Sequence, residues 1–125
     1  MKVEGKVVKG VEESGKFLSI PWVTEQIEEK LFFSPFLGTL NLLIDDMRVQ
    51  RKLKGCARER LVSREEGFCD ALMVKATING HIACGIVIPL VENYPENVLE
   101  IVAPVKLKES LNIGDGDIVV LDIDI

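Results

Sequence analysis

Apolar and polar residues alternate in short runs along most of this chain, at the two-residue period of a β-strand. The runs that predict strands are residues 3–8, 16–20, 39–44, 71–78, 81–88, 98–102 and 117–124. Turn-forming residues separate these runs, and long helical patterns do not intervene between them. About seven short strands without an internal repeat favour a small barrel or sandwich.

The clearest pair of strands forms a hairpin across Asn79-Gly80. This dipeptide is typical of a type I′ turn, because both residues readily adopt positive φ angles. A two-residue loop would place His81 opposite Ile78 and Cys84 opposite Lys75. Side chains three apart in one strand emerge on opposite faces, so His81 and Cys84 are not expected to form a nucleophile–base pair.

Two short helices are predicted between the strands. The first begins at Pro21, a residue suited to a first helical turn, and Val23, Ile27 and Leu31 form one apolar stripe along it. We expect this helix to plug one end of the barrel. The second covers residues 103–111 and ends before a turn rich in Gly, Asn and Asp.

Composition places limits on the class of protein. A chain of 125 residues predicts one domain over residues 1–125, and a net charge of −5 argues against a general polyanion binder. Cys56, Cys69 and Cys84 lack C-x-x-C spacing, which favours reduced thiols rather than a disulfide or a zinc site. A signal sequence and an uncharged apolar run of membrane-spanning length are not evident, so we expect a cytoplasmic protein that does not bind membranes.

Thr39 and Asn41 form the first candidate site, because they lie two residues apart behind Gly38. On a strand their side chains share one face, and both offer neutral oxygen ligands. Mg²⁺ keeps several waters and is often bound together with substrate phosphates, so such a weak site suits a metal that arrives with a nucleotide. The alternative is a pair of polar residues that simply face solvent.

The segment from Gly10 to Lys16 fits the G-x-x-x-x-G-K opening of a phosphate-binding loop. That loop requires a Ser or Thr next and a helix whose N-terminus faces the phosphates. Phe17 follows instead, and residues 17–20 have the composition of a strand, so the P-loop fold is excluded. A plain hairpin loop and a turn whose N–H groups bind an anion both remain open.

Seven of the fifteen basic residues fall in one stretch after the Thr-Leu-Asn run: Arg48, Arg51, Lys52, Lys54, Arg58, Arg60 and Arg64. Gly55, Cys56 and Val62 within it favour edge structure over a disordered tail. A solvated face is one interpretation, and steering of a triphosphate is the other.

Glu100 lies within the apolar run 98–102, where a carboxylate must face solvent, find a donor or shift its pKa. On the exterior of the barrel it would have no special role. If it faces a cleft, it can accept hydrogen bonds from a ligand. The preceding polar loop, residues 92–97, carries Tyr94 and is suitable as a lid.

Together these pieces resemble the archaeal CTP-dependent riboflavin kinase family over nearly the whole chain. The matching motifs are Gly5-Lys6-Val7-Val8-Lys9-Gly10, Phe17-Leu18-Ser19-Ile20-Pro21, Pro35-Phe36-Leu37-Gly38-Thr39-Leu40-Asn41-Leu42, Ile88-Pro89, Tyr94-Pro95, a run from Val98 through Leu99-Glu100-Ile101-Val102-Ala103-Pro104 to Leu111, and Asp115-Gly116-Asp117. Residues 45–68 are the least similar. Gly-Thr-Leu-Asn combined with Leu-Glu-Ile-Val-Ala-Pro is the specific part of the match.

The resemblance implies a six-stranded Greek-key barrel of the cradle-loop type that transfers the γ-phosphate of CTP to the 5′-hydroxyl of riboflavin, giving FMN and CDP. It implies one Mg²⁺ ion held by Thr39 and Asn41, and flavin contacts from Glu92 and Glu100. The nucleotide-binding residues that it implies are Gly10, Val11, Glu12, Glu13, Ser14, Gly15, Lys16, Val105, Lys106, Leu107 and Lys108. A monomer that binds no nucleic acid is expected, and no general base is evident.

This chain departs from the family pattern in two places. Glu12 and Ser14 replace glycines of the usual Gly-x-Gly-Glu-Gly turn, and Glu92 replaces a threonine. An inactive member or one of altered specificity is therefore an alternative. A binding protein is another, either a carrier of flavin or nucleotide or a swapped-hairpin DNA-binding regulator, because the segment 107–121 is also similar to the end of such regulators.

Overall fold

The computed structural model of the chain describes residues 1–10 and 14–125. The strands are β1 (Lys2–Val8), β2 (Leu40–Leu43), β3 (Glu59–Leu61), β4 (Ala71–Ile78), β5 (Ile82–Pro89), β6 (Val98–Val102) and β7 (Ile118–Ile123). The helices are α1 (Ser14–Leu18), α2 (Pro21–Leu31), α3 (Arg48–Cys56) and α4 (Leu107–Ser110). Within these described ranges, none of the helices has the length and apolar character needed to cross a bilayer.

Six of the strands close into an antiparallel barrel. They follow the order β4-β5-β6-β2-β1-β7, and β7 returns to pair with β4, while β3 pairs with β4 outside the barrel. Three consecutive strands, β4 to β6, followed by a strand that returns beside β4, form a Greek key. The predicted six-stranded Greek-key barrel is confirmed.

Alternate residues of each strand fill the barrel interior. Leu40 and Leu42 of β2, Ile86 of β5 and Ile101 of β6 belong to one buried cluster, whereas their neighbours along the strands point outward. Burying this apolar area is the main source of stability for the fold. The interior is therefore a packed core, and any ligand site lies outside it.

Helix α2 packs on the outer wall of the barrel, not in its end. Val23, Ile27 and Leu31 are buried against outward-facing residues of β4, β5 and β6 in a second apolar cluster. The predicted apolar stripe is confirmed, but the prediction that this helix plugs the barrel is wrong. A Cβ at Gly85 would lie 2.4 Å from Leu31 Cδ1, so the close approach of β5 and α2 depends on that glycine.

The predicted strand at 16–20 is wrong, since α1 occupies residues 14–18. Adjacent residues Phe17 and Leu18 both pack toward the second cluster, which a helix allows and the alternating faces of a strand do not. The predicted helix at 103–111 is also shorter than expected. Lys106 precedes α4 with an extended ψ of 103°, and Ala103 lies before a proline, which disfavours helical backbone.

The basic stretch contains two elements that the sequence pattern did not distinguish, helix α3 and strand β3. The predicted edge structure is confirmed for β3, which lies outside the barrel. Helix α3 is amphipathic, because Val49 and Leu53 lie four residues apart and both pack on the core, but its basic residues led the stretch to be interpreted as a charged face or edge.

The turn at Asn79-Gly80 forms with the expected positive φ angles of 50° and 64°. However, β4 and β5 pair Ile78 with Ile82 and Ala76 with Cys84, so the predicted register is wrong by one residue. His81 belongs to the turn, which makes it one residue longer.

Candidate functional site

Two cavities at the surface of the barrel meet at a common set of residues. The larger has a volume of about 860 Å³ and the smaller about 510 Å³. Lys9, Gly10, Thr39 and Asn41 line both of them. A small molecule in either cavity would therefore contact the same four residues.

The strand register brings Asn41 and Glu100 together. They are paired residues on β2 and β6, and Val8 and Val87 flank them on β1 and β5. Paired residues of antiparallel strands project to the same side, about 4.5–5.5 Å apart at Cβ. Thr39 lies two residues before Asn41 and immediately precedes β2, which is shorter than the strand predicted over 39–44, and all of these residues line the larger cavity.

Gly10 lies directly against the side chain of Asn41. A Cβ on Gly10 would come within 1.9 Å of Asn41 Nδ2 and 2.5 Å of its Cγ. Only a residue without a side chain leaves the amide of Asn41 in this position. Gly10, which ends the motif at residues 5–10, thus fixes the position of Asn41, a candidate metal ligand in the motif at residues 35–42.

Glu100 is half-buried and accepts a hydrogen bond of 2.8 Å from the hydroxyl of Tyr94. Burial raises the pKa of Glu100, and the hydrogen bond from Tyr94 opposes this by stabilising the carboxylate. Burial, followed by the charge of Glu100, raises the pKa of Tyr94 well above its ordinary value. The pair therefore presents a partly desolvated carboxylate and a phenol that stays protonated.

The segment 89–97, which carries Tyr94, is joined to helix α3 by hydrogen bonds and an ion pair. Gln50 is 1% exposed, and its Nε2 donates hydrogen bonds of 2.9 Å to the carbonyl oxygens of Pro95 and Val98. Its Oε1 has no partner among the described residues. An exposed ion pair of 3.3 Å between Arg51 and Glu96 adds a second contact.

The smaller cavity has a cationic side. Val105, Lys106, Leu107 and Lys108 line it together. Lys108 Nζ lies 3.1 Å from Asp115 Oδ1, and Lys106 Nζ lies 3.6 Å from Glu109 Oε1. These ion pairs are exposed and weak, so an anionic ligand can compete for the lysines.

The structure brings together most of the residues that the sequence predicted for the site. Those on the cavity walls are Gly10, Gly15, Thr39, Asn41, Glu100, Val105, Lys106, Leu107 and Lys108. Val11, Glu12 and Glu13, and the side chain of Ser14, lie outside the described part of the chain. Lys16 and Glu92 are exposed and line neither cavity in the ranges described.

The seven basic residues of the stretch 48–64 also stay off both walls, as far as the described residues show. Several are instead paired with carboxylates on the surface, as Arg48 is with Asp46 and Arg60 with Asp70. These pairs lower the pKa of Asp46, chiefly through the hydrogen bond from Arg48. The structure thus gives no direct contact between this stretch and a bound phosphate.

The residues of the larger cavity that sequence reasoning missed include Lys9, Phe17, Phe68 and Cys69. Lys9 sits beside Gly10, and its place at the end of β1 was a usable signal. Phe17 was assigned to a strand. Phe68 and Cys69 come from a loop whose approach to the barrel depends on tertiary packing.

Thr39 and Asn41 suit a hard cation that prefers oxygen ligands and retains water. The missing side chain of Gly10 leaves the room that the amide of Asn41 occupies. Among residues 1–10 and 14–125, three or more His, Cys, Asp or Glu side chains do not gather into a metal-binding group. The donor set fits Mg²⁺ shared with phosphates better than it fits a metal held by protein alone.

Comparison with known proteins gives a family match over nearly all of the chain. A family model named CTP-dep_RFKase, described as "Domain of unknown function DUF120", matches residues 7–123.

Several curated archaeal proteins are similar. The riboflavin kinase of Methanosarcina barkeri is 36% identical over 98% of this chain and 56% of its own length. That of Archaeoglobus fulgidus is 37% identical over 98% of this chain and 54% of its own length. The riboflavin kinase of Methanothermobacter thermautotrophicus is 38% identical over 92% of this chain and 93% of its own length. The chain thus spans just over half of the first two relatives and almost all of the third.

Proposed function

Because the chain belongs to the CTP-dep_RFKase family, we propose that it is a CTP-dependent riboflavin kinase, which converts riboflavin and CTP to FMN and CDP. The observation that carries this proposal is the meeting of two cavities at Thr39 and Asn41. A kinase must hold an acceptor and a nucleotide so that their reacting atoms adjoin.

The larger cavity suits riboflavin. Its volume of about 860 Å³ lies within the range of small-molecule sites, and apolar side chains dominate its wall. Glu100 and Tyr94 supply polar groups that would orient the ligand at one end. Glu100 would then accept hydrogen bonds from the flavin, as the family resemblance implies.

The smaller cavity suits CTP. Lys106 and Lys108 would neutralise charge on its phosphates. Gly15 also lines this cavity and packs against the segment before Thr39, since a Cβ there would lie 2.9 Å from the carbonyl oxygen of Leu37.

In the proposed reaction, the 5′-hydroxyl oxygen of riboflavin forms a bond to the γ-phosphorus of CTP. The bond from that phosphorus to the oxygen bridging the β-phosphate breaks, CDP leaves, and the hydroxyl proton is released. Phosphoryl transfer depends mainly on positioning and charge neutralisation. Thr39 and Asn41 would hold Mg²⁺, which when bound offsets the negative charge of the phosphates.

A panel of nucleotides tests this function. The purified protein is incubated with riboflavin, Mg²⁺ and each of CTP, ATP, GTP and UTP, and FMN is separated from riboflavin by chromatography. We expect CTP to support the fastest formation of FMN. Equal or faster turnover with ATP would overturn the nucleotide assignment, and no FMN with any nucleotide would overturn the kinase assignment.

Thr39→Val tests the proposed metal ligand, because it removes the hydroxyl and nearly preserves the shape of the side chain. We expect kcat to fall by roughly 10- to 100-fold, the loss typical of weakening a metal site, with an unchanged melting temperature. Thr77→Val is the matched control, since Thr77 lies on β4 and lines neither cavity in the described structure. Unchanged kinetics in Thr39→Val would remove Thr39 from the site.

A further inference from the structure

The larger cavity has a polar end and an apolar end. The polar end holds Thr39, Asn41, Tyr94 and Glu100, whereas elsewhere the wall is largely apolar. Its apolar lining includes Phe17, Leu18, Ile27, Leu61, Phe68 and Ala71. A ligand that fits this cavity must itself carry polar groups at one end and a large apolar body at the other.

The two ends are separated by several strands. From Asn41 on β2 the sheet continues through β6, β5 and β4 to Leu61 on β3. Neighbouring strands are about 4.8 Å apart, so this path covers roughly 19 Å along the curved sheet. The Leu61 side of the cavity is therefore remote from Asn41, one of the two residues proposed to hold the metal.

Three aromatic rings border the apolar end. The ring centroids of Phe17 and Phe68 are 6.0 Å apart, those of Trp22 and Phe68 are 5.8 Å apart, and those of Phe17 and Trp22 are 6.2 Å apart. Trp22 is only 8% exposed, whereas Phe68 is 40% exposed and lines the cavity. Phe68 therefore has ring surface available to a ligand while the other two rings support it.

The segment that carries Phe68 is held at several points. Trp22 Nε1 donates a hydrogen bond of 2.8 Å to Glu65. Ser63 N donates one of 2.8 Å to Asp70 Oδ1, which joins the two ends of the segment. The hydrogen bond from the backbone N–H of Ser63 lowers the pKa of Asp70, so this carboxylate stays charged and bonded near neutral pH. The position of Phe68 is thus defined before any ligand binds.

We propose that Phe68 is a flavin-ring-binding residue: its ring stacks on the isoalloxazine of riboflavin while the ribityl chain extends toward Asn41. This inference rests on the proposed function, because it identifies the occupant of the larger cavity as a flavin. A planar aromatic ligand gains from stacking on Phe68, whereas an aliphatic one does not. Phe68 would thereby select a ring system at the end of the cavity where no chemistry occurs.

Fluorescence of Trp22 tests the proposal, since it is the one tryptophan in the chain. The probes are riboflavin and lumichrome, a flavin ring without the ribityl chain and its hydroxyl groups. We expect both to quench Trp22 emission when they bind. Phe68→Leu should weaken the binding of each by a similar factor, roughly threefold to tenfold, as expected for loss of aromatic stacking.

Two further variants serve as controls. Phe68→Tyr keeps an aromatic ring and should retain the affinity of the unaltered protein, which a general loss of folding would not allow. Phe32→Leu makes the same change as Phe68→Leu at an exposed phenylalanine that borders neither cavity in the described chain, and it should bind both probes normally.

The outcomes distinguish this inference from the proposed function. If the protein forms FMN but Phe68→Leu binds lumichrome as tightly as the unaltered protein, the role of Phe68 is overturned and the kinase assignment stands. If no FMN forms, the kinase assignment fails. The ring-binding role is then judged by lumichrome alone, which has no hydroxyl to phosphorylate: affinity that depends on Phe68 supports it, and binding that does not, or no binding, overturns it.

Discussion

The contact between Gly10 and Asn41 makes the site sensitive to a single methyl group. Because a Cβ at Gly10 would lie 1.9 Å from Asn41 Nδ2, Gly10→Ala must displace the amide. A misplacement of about 1 Å in a reacting site can cost about 100-fold in rate. We expect a large fall in kcat with little change in melting temperature, since the amide can rotate away.

Gly114→Ala is the control for that variant, because a Cβ there meets nothing within 4 Å. It should leave both kcat and the melting temperature close to those of the unaltered protein. Equal activity of the Gly10 and Gly114 variants would show that the position of Asn41 does not matter for turnover.

Glu100 predicts a pH dependence of stability. Its folded-state pKa is raised above the ordinary value, chiefly by burial, so the folded protein holds the proton more tightly than the unfolded chain. The stability this contributes is present below the ordinary pKa and is lost as pH rises through the raised value. The side chain in Glu100→Gln does not titrate. The melting temperature of this variant minus that of the unaltered protein should therefore increase as pH rises across this window.

Thermal melts of both proteins from about pH 4 to pH 8 measure this difference. Tyr94→Phe is a useful comparison, because it removes the hydrogen bond that favours the charged carboxylate. It should move the loss of stability to higher pH. A difference between Glu100→Gln and the unaltered protein that stays constant over the whole range would contradict the expected burial of the carboxylate.

Part of the site could be predicted at the scale of single residues, and part could not. The two-residue spacing of Thr39 and Asn41 already implies a shared face, because that relation is local to one strand. The pairing of Asn41 with Glu100 depends on the register between β2 and β6, which a sequence pattern does not specify. The place of Phe68 depends on packing against Trp22, and its neighbours in sequence give no sign of it.

At the scale of elements, α3 contacts the segment that borders the larger cavity, where riboflavin is proposed to bind. Gln50→Leu leaves the carbonyl oxygens of Pro95 and Val98 without their donor, at a cost of about 1–3 kcal/mol. We expect the KM for riboflavin to rise and the KM for CTP to stay constant, because the segment 89–97 borders only the larger cavity.

Arg51→Ala is the comparison within the same helix. It breaks the exposed ion pair with Glu96, which should cost no more than about 1 kcal/mol and leave both KM values unchanged. Equal increases of the two KM values in Gln50→Leu would indicate a general loss of structure instead of a local effect on the segment 89–97.

The elements themselves were predictable where one periodicity was strong. Alternation identified six of the seven strands, and the stripe of α2 identified that helix. The pattern failed for α1, because Phe17 and Leu18 are as compatible with a strand as with a helix. Packing of these residues against α2 favours the helix. It failed for α3 because Val49 and Leu53, the two apolar residues four apart that pack on the core, lie among basic residues that were interpreted as a charged stretch.

At the scale of the whole molecule, the two cavities lie side by side and share Lys9, Gly10, Thr39 and Asn41. This arrangement would let both proposed substrates bind at once, so that phosphate would pass directly between them. We therefore predict sequential kinetics: plots of reciprocal rate against reciprocal riboflavin concentration, at several CTP concentrations, should intersect. Parallel lines would indicate a phosphorylated protein intermediate, which this geometry does not require.

The barrel closes by pairing its first strand with its last, from Lys2 opposite Asp122 to Lys6 opposite Ile118. Contacts so distant along the chain form slowly, because a long loop must be closed before they contribute. A nascent chain on the ribosome has no partner for this edge of β1 until residues 118–123 emerge. The barrel therefore cannot be completed before residues 118–123 have emerged, and until then the open edges of β1 and β4 are templates on which other chains can aggregate.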